Sequence, residues 1–170
     1  MNKYYFEGKT QEQAINLALY ELNISEDDLI VNNVEDKSSL LKKNVKIEVL
    51  NIKEIISFIK DTLNKITELM GAKSNLEVKR REKSISVTIF SENNAILIGK
   101  NGKNVAALQL LIRQMVNSKL KEPLSIIIDV GNYKEKRARS IEYLAKKLAR
   151  EAYKTKTEVT MDSMNSYERR

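Results

Sequence analysis

The sequence predicts an α+β fold made of three consecutive units. Three observations predict it. The hydrophobic pattern alternates between a period of two and a helical period along the chain. Two glycines bracket a junction between helical segments. The charge changes sign after the first third. A length of 170 residues allows one domain or two to three very small ones. With hydrophobic residues at 42% and charged residues at 31%, an ordered core is within reach.

The first unit, residues 1–50, reads β-α-β-β. Lys3–Phe6 is a short aromatic-rich strand. Thr10-Gln11-Glu12-Gln13 has the form of a capping box, in which a threonine and a glutamine three residues on satisfy the first free amides of a helix. Ala14, Ile15, Ala18, Leu19 and Leu22 then recur at helical spacing, and Asn23 is a stop. Leu29–Val34 forms a strand, residues 35–43 a polar connection, and Val45, Ile47 and Val49 a half-buried strand alternating with Lys46 and Glu48.

The second unit, residues 51–130, reads α-β-β-α-α-β. Ile52, Ile55, Ile56, Ile59, Leu63, Ile66, Leu69 and Met70 make one apolar stripe, with Gly71 placed to end the helix. Leu76 and Val78, then Ile85, Val87 and Ile89, mark two strands around a Lys79–Lys83 hairpin tip. Glu92–Leu97 is a short helix or turn, and Val105, Ala106, Leu108, Leu111, Ile112 and Met115 mark a longer helix. After Pro123, the run from Leu124 to Val130 is dense in β-branched residues and predicts a strand buried on both faces. The third unit, residues 131–170, opens with a long helix from about Tyr133 to Tyr153. Its apolar side carries Ile141, Leu144, Ala145, Leu148 and Ala152; a strand is expected from Val159.

Composition excludes several chemistries. With no cysteine and no histidine, disulfides, thiolate sites, His-dependent triads and the commonest metal ligand are all absent. No catalytic residue, metal site or cofactor is expected, and the protein is read as a non-enzyme. No apolar run approaches the roughly 20 residues of a membrane span, and the N-terminus lacks a signal-peptide core, so a cytoplasmic protein is expected. Residues 1–50 hold 6 basic against 9 acidic side chains, residues 51–130 hold 13 against 8, and residues 131–170 hold 11 against 6. All the basic excess therefore lies after residue 50, which points to an anionic partner for the later units.

The junction Ile98-Gly99-Lys100-Asn101-Gly102-Lys103 carries the most chemistry. Glycines let a backbone approach closely or take positive φ. The helix that follows turns its free N–H groups and positive dipole end toward the loop, where Lys100 and Lys103 add charge. A GxxG loop of this kind clamps the sugar-phosphate backbone of about four nucleotides. A tight turn with solvated lysines is the competing reading of the tetrapeptide alone; the surrounding α-β-β-α-α-β order favours the clamp. A phosphate-binding P-loop does not fit, because the glycine spacing is wrong and Asn104 follows Lys103.

On these residues the second unit resembles a prokaryotic-type (type II) KH domain. Gly131-Asn132-Tyr133-Lys134-Glu135-Lys136-Arg137 and Met164-Asn165-Ser166-Tyr167-Glu168-Arg169-Arg170 resemble stretches of the R-three-H single-stranded nucleic-acid-binding domain. With the small first unit, the whole chain is similar to the Jag (KhpB/EloR) family of bacterial RNA-binding proteins linked to cell elongation and division. The resemblance implies single-stranded RNA as ligand, held by Ile98, Gly99, Lys100, Asn101, Gly102 and Lys103. Arg137 and Arg139 would supply the basic half of the Arg-His pair for which the third domain is named. The chain has no histidine, so that pair is incomplete, and relatives continue past the Tyr-Glu-Arg-Arg segment, so an incomplete third domain is expected. Residues 35–43 also lack the glycines that relatives carry there. The resemblance further implies a dimer, with a second copy or with a small stand-alone KH protein.

Other residues have plainer expectations. Asp27 and Asp28 read as loop or helix-start charges, and Asp129 as a turn or cap residue. The 79–83 tip reads equally as a solvated turn or an auxiliary phosphate contact. Tyr133, Tyr143 and Tyr153 read as core or boundary packing, with Tyr167 a candidate for base stacking. The alternative function is a protein-interaction adaptor at the membrane or division machinery, recruiting through the acidic first unit, with RNA secondary.

Overall fold

The computed structural model describes residues 1–36, 44–164 and 168–169. The N-terminal sheet contains β1 (Tyr4–Gly8), β2 (Leu29–Asp36) and β3 (Val45–Asn51), antiparallel in the order β1-β3-β2. Helix α1 (Gln11–Leu22) crosses one face of it. Ala14 and Ala18 are fully buried against Phe6, Ile47 and Val49, because side chains this small let the helix lie close to the strands. The Thr10 hydroxyl accepts from Gln13 N at 3.2 Å, as its position predicts. Gln13 Oε1 accepts from Lys9 N, one residue outside the expected capping-box partner. Asn23 ends the helix with φ 51°. Most of the predicted polar connection, residues 37–43, lies outside the described residues.

The pairing of β2 with β3 slips by one residue between Val31 and Asn33, leaving Asn32 as a bulge. A bulge redirects a side chain, and here it directs a buried amide toward the second unit. Asn32 donates to the Glu48 carboxylate and, at 3.2 Å, to the Lys119 carbonyl, while its oxygen accepts from Lys121 N at 2.6 Å. Asn32→Ala is expected to destabilise the protein by about 1–3 kcal/mol, the range for leaving buried polar groups unpaired; urea unfolding measures it.

Helix α2 (Ile52–Leu69) follows β3 directly, and the Asn51 side chain caps it by accepting from Lys53 N at 2.9 Å. Ile52, Ile55, Ile59 and Leu63 are buried on one face. The helix ends in a Schellman motif: Gly71 N donates to Glu68 O and Ala72 N to Thr67 O, both at 2.9 Å, with Gly71 at φ 75°. Strands β4 (Ser74–Arg81) and β5 (Ser84–Ser91) form a hairpin whose turn is Glu82-Lys83, narrower than the predicted tip. Then come α3 (Asn94–Ile98), a single 3-10 turn (Lys100–Gly102), α4 (Lys103–Asn117) and β6 (Ser125–Val130), which pairs parallel to β5. Helices α2 and α4 cover the core face of this β4-β5-β6 sheet.

Strand β6 corrects one expectation. It is an edge strand, and only Ile126, Ile128 and Val130 are buried, whereas Ile127 remains 41% exposed. Its continuous apolar run does not imply two covered faces, since no helix lies over the second face among the described residues. The third unit also departs from expectation. Helix α5 (Tyr133–Thr155) contains no buried residue, and no strand follows at Val159 among the described residues. Tyr143 and Tyr153, read from sequence as packing residues, are 72% and 76% exposed.

The N-terminal sheet docks at one end of the second. Arg80, next to the hairpin turn, donates to Asp28 Oδ1 at 2.6 Å and to the Asp27 carbonyl. Lys53 Nζ lies 2.8 Å from Asp28 Oδ2, and Ser25 Oγ donates to the same carboxylate at 2.9 Å. Asp28 is therefore a buried clasp between the two units as well as a turn residue. Because β5 and β6 run away from this end together, the α3–α4 junction emerges at the opposite end, clear of the acidic unit.

Candidate functional site

Three departures from ordinary backbone within four residues shape the junction. Gly99 has φ 69° and ψ 178°, a region essentially restricted to glycine. Asn101 has φ 53° and Gly102 φ 75°, both left-handed. The chain thus reverses within one turn and enters α4 without a side-chain cap, since Gly102 has none to offer. The 3-10 turn engages Gly102 N with Gly99 O and Lys103 N with Lys100 O, and the amides that follow open α4, where N–H groups lack intrahelical acceptors. Lys100, Asn101 and Lys103 project from this turn and are exposed. Residues 93–121 contain Lys100, Lys103, Arg113, Lys119 and Lys121 and no carboxylate, so this segment is itself uniformly cationic, while Asp129 and Glu135 lie at the root of α5 that rests on the turn.

The turn is braced from three sides. Ile98 packs half-buried against the core. Asn104 Nδ2 donates to the Ile96 carbonyl at 2.8 Å and fills the space beside Gly99, where a Cβ would come within 2.5 Å of Asn104 Cγ. Gly102 is buried beneath Tyr133, and a Cβ there would lie 2.7 Å from Tyr133 Cε1. Tyr133 is the first residue of α5, so the root of that helix rests on the turn. Burial raises its hydroxyl pKa. Asp129 Oδ1 accepts from Lys134 N at 3.2 Å and from Val130 N at 2.9 Å, the cap role its position predicts. Lys134 Nζ donates to Gln109 Oε1 at 2.8 Å, and the same oxygen accepts from Ile128 N at 3.1 Å. Burial lowers the Lys134 pKa, with Asp129 opposing that shift.

The sequence-predicted residues divide into two groups. Ile98 through Lys103 form the turn itself. Arg137 and Arg139 lie apart from it on α5. Arg137 Nε donates to Glu168 at 2.8 Å, with side chains 28% and 11% exposed, and that bond raises its pKa. Arg139 is exposed and makes a surface pair with Glu135. Asn104, Gln109 and Tyr133 were not singled out as site residues from sequence. An Asn in a first helical turn resembles an ordinary capping residue, and nothing local reveals that a tyrosine 31 positions later will cover Gly102. The flanking helices also offer apolar surface: Ile96 is 45% exposed on α3, and Leu110 58% on α4.

A three-stranded mixed sheet beneath α2 and α4, with a GxxG turn joining α3 to α4, defines a KH-type module. Residues 57–128 match the KH-domain family model described as KhpA/KhpB, and residues 6–50 match the Jag N-terminus model. A Clostridium symbiosum protein named RNA-binding protein KhpB is 31% identical over 175 residues, covering 96% of this chain and 76% of that protein. Its Bacillus subtilis namesake is 28% identical over 168 residues, covering 96% and 81%. A Streptococcus pneumoniae protein of the same name is 24% identical over 170 residues, covering all of this chain and 49% of its own length. The chain belongs to the KhpB (Jag) family. Among the described residues no helix is long and apolar enough to cross a membrane.

Proposed function

We propose that this protein binds single-stranded RNA without catalysing a reaction. The Gly99–Gly102 turn receives the phosphate backbone against main-chain amides, and bases lie along the apolar surfaces of α3 and α4. The observation that carries this reading is the positive-φ turn at the start of α4, without a side-chain cap, exposed at Lys100 and Asn101 and built from a segment whose charged side chains are all cationic. The names of the relatives and the KH family match support RNA as the ligand. The resemblance read from the sequence also supports three units at 1–50, 51–130 and 131–170, the last R-three-H-like. It also supports a cytoplasmic role in post-transcriptional control of elongation and division, and pairing with a second copy or a small stand-alone KH protein.

The test is the double variant Lys100→Asp/Asn101→Asp. It places two negative charges on the phosphate path at exposed positions, so the thermal unfolding curve is expected to stay unchanged. RNA affinity measured by fluorescence anisotropy is expected to fall at least about 100-fold, since charge reversal adds repulsion to the loss of a phosphate contact. Unchanged affinity in a folded double variant removes this turn as the site.

A further inference from the structure

We infer that the first unit takes part in RNA binding without touching RNA: Asn32 is a positioning residue that holds the connection between α4 and β6, residues 118–124, where Lys119 and Lys121 meet the strand leaving the turn. This rests on the RNA-binding reading above. The connection is pinched at its base, because Asn117 Nδ2 donates to the Leu124 carbonyl and Leu124 N to Asn117 Oδ1, both at 3.0 Å. Its middle is fixed twice. Leu120 packs half-buried against the core, and Asn32 donates to the Lys119 carbonyl at 3.2 Å and accepts from Lys121 N at 2.6 Å. Both of these bonds go to backbone, so they set the path of the chain and leave the two ammonium groups out of the grip.

Asn32 has little room to yield. It sits in a bulge, is 8% exposed, and its amide also donates to Glu48, which accepts from Tyr5 Oη at 2.8 Å and lies 2.8 Å from Lys3 Nζ. A run of polar contacts therefore leads from the first sheet into the connection. Lys119 and Lys121 are exposed, and neither pairs with a carboxylate among the described residues. Lys119 Nζ lies 6.0 Å above the Phe58 ring, the outer limit of such a contact. Glu122, next along the chain, turns to Lys83 at 3.2 Å. The outer face of α4 joins the two cationic ends. At about 100° per residue, Lys103, Ala107, Leu110, Gln114 and Ser118 fall within a sector about 80° wide, and all are exposed. The helix carries no carboxylate. It is about 21 Å long from Lys103 to Asn117. At about 3.4 Å per stacked nucleotide, roughly six nucleotides cover that distance. The four nucleotides held at the turn fall short of it. A longer strand following this face ends on Lys119 and Lys121.

The experiment uses the full chain and labelled oligouridines of two lengths: about 4 nucleotides, which the turn alone accommodates, and about 12, which reaches the connection. Lys119→Glu/Lys121→Glu is expected to lower the slope of log affinity against log salt for the long oligomer by about 1.4, at roughly 0.7 per phosphate. Asn32→Ala, at a temperature where it remains folded, is expected to weaken the long oligomer at least about threefold and to quicken hydrogen exchange at the Lys121 amide. Both are expected to leave the short oligomer unaffected. Added to Lys119→Glu/Lys121→Glu, Asn32→Ala is expected to cause no further loss, the mark of one residue acting through the others. Asp28→Asn loosens the same joint without touching the connection and is expected to leave both affinities unchanged. Asn32→Ser, which keeps a polar group of shorter reach, takes the place of Asn32→Ala if the latter does not fold. Unchanged affinity for the long oligomer in either the Asn32 or the lysine variant overturns the inference, as does unchanged exchange at Lys121. So do fully additive losses, or an equal loss in Asp28→Asn, which makes the effect one of general loosening. In each of these cases the turn stands if Lys100→Asp/Asn101→Asp loses both oligomers. If that variant keeps both affinities, the underlying RNA reading falls instead.

Discussion

Gly102→Ala is expected to destabilise the protein by about 2–4 kcal/mol and to weaken RNA binding by at least about tenfold. Two costs combine. At φ 75° a residue with a Cβ pays about 1–2 kcal/mol for the left-handed conformation. The new methyl would also stand 2.7 Å from a Tyr133 ring that cannot swing freely, because Tyr133 opens a helix whose next residue is held by Asp129 and Gln109. Displacing the ring means moving the helix root or deforming the turn, and either alters where the α4 amides point.

Gly71 supplies a control within the same chain. It has the same φ of 75° but nothing within 4 Å of its absent Cβ. Gly71→Ala should carry the conformational cost alone and leave RNA affinity intact. Urea unfolding and anisotropy on both variants separate the terms. Equal losses of stability would mean the tyrosine contact contributes nothing, and the account of α5 as bolted to the turn would fail. Gly102→Ala/Tyr133→Ala, which removes the obstruction but keeps the strained φ, should cost less than the two single changes added together.

The second large effect concerns the joint between the sheets. Asp28→Asn is expected to lower stability near pH 6 by about 1.5–3 kcal/mol, the range for hydrogen bonds to charged groups. The exposure of Lys53 places it toward the low end. Hydrogen bonding and charge from Lys53, then Arg80, lower the Asp28 pKa from 3.8 to about 2. A carboxylate with a depressed folded pKa stabilises fully above its unfolded value and loses that contribution as pH falls through the folded one. The gap between unaltered protein and Asp28→Asn should therefore be constant above about pH 5, narrow below pH 3.8 and close near pH 2. A gap of the same size at pH 2 would show that the asparagine disturbs packing rather than ion pairing.

What the sequence discloses depends on how far apart the interacting residues lie. Thr10, Asn23 and Gly71 act on backbone groups within five residues, and each ends or begins its helix where the sequence places it. The isoleucine stripe of α2 and the glycines of the turn are legible for the same reason, as periodicity and spacing are local. Asp28 with Arg80, and Asn32 with Lys121, join residues 52 and 89 positions apart, and no local pattern marks them. Strand β6 shows a different failure. Its composition reports only that side chains can be buried; whether they are depends on its place at the sheet edge. Tyr133 packs as its pattern predicts, whereas Tyr143 and Tyr153 do not, since helical spacing cannot reveal that nothing among the described residues covers their side.

Asn51 is both the last residue of β3 and the cap of α2, and Leu50 beside it is fully buried in the core of the second sheet. The first sheet therefore hands over to the second with no slack. The acidic unit is held at a set bearing from the α3–α4 turn, about 20 Å away along the six residues of β6. Such a splice works as a ruler: it dictates the angle between the two sheets, which a tether of loose chain does not.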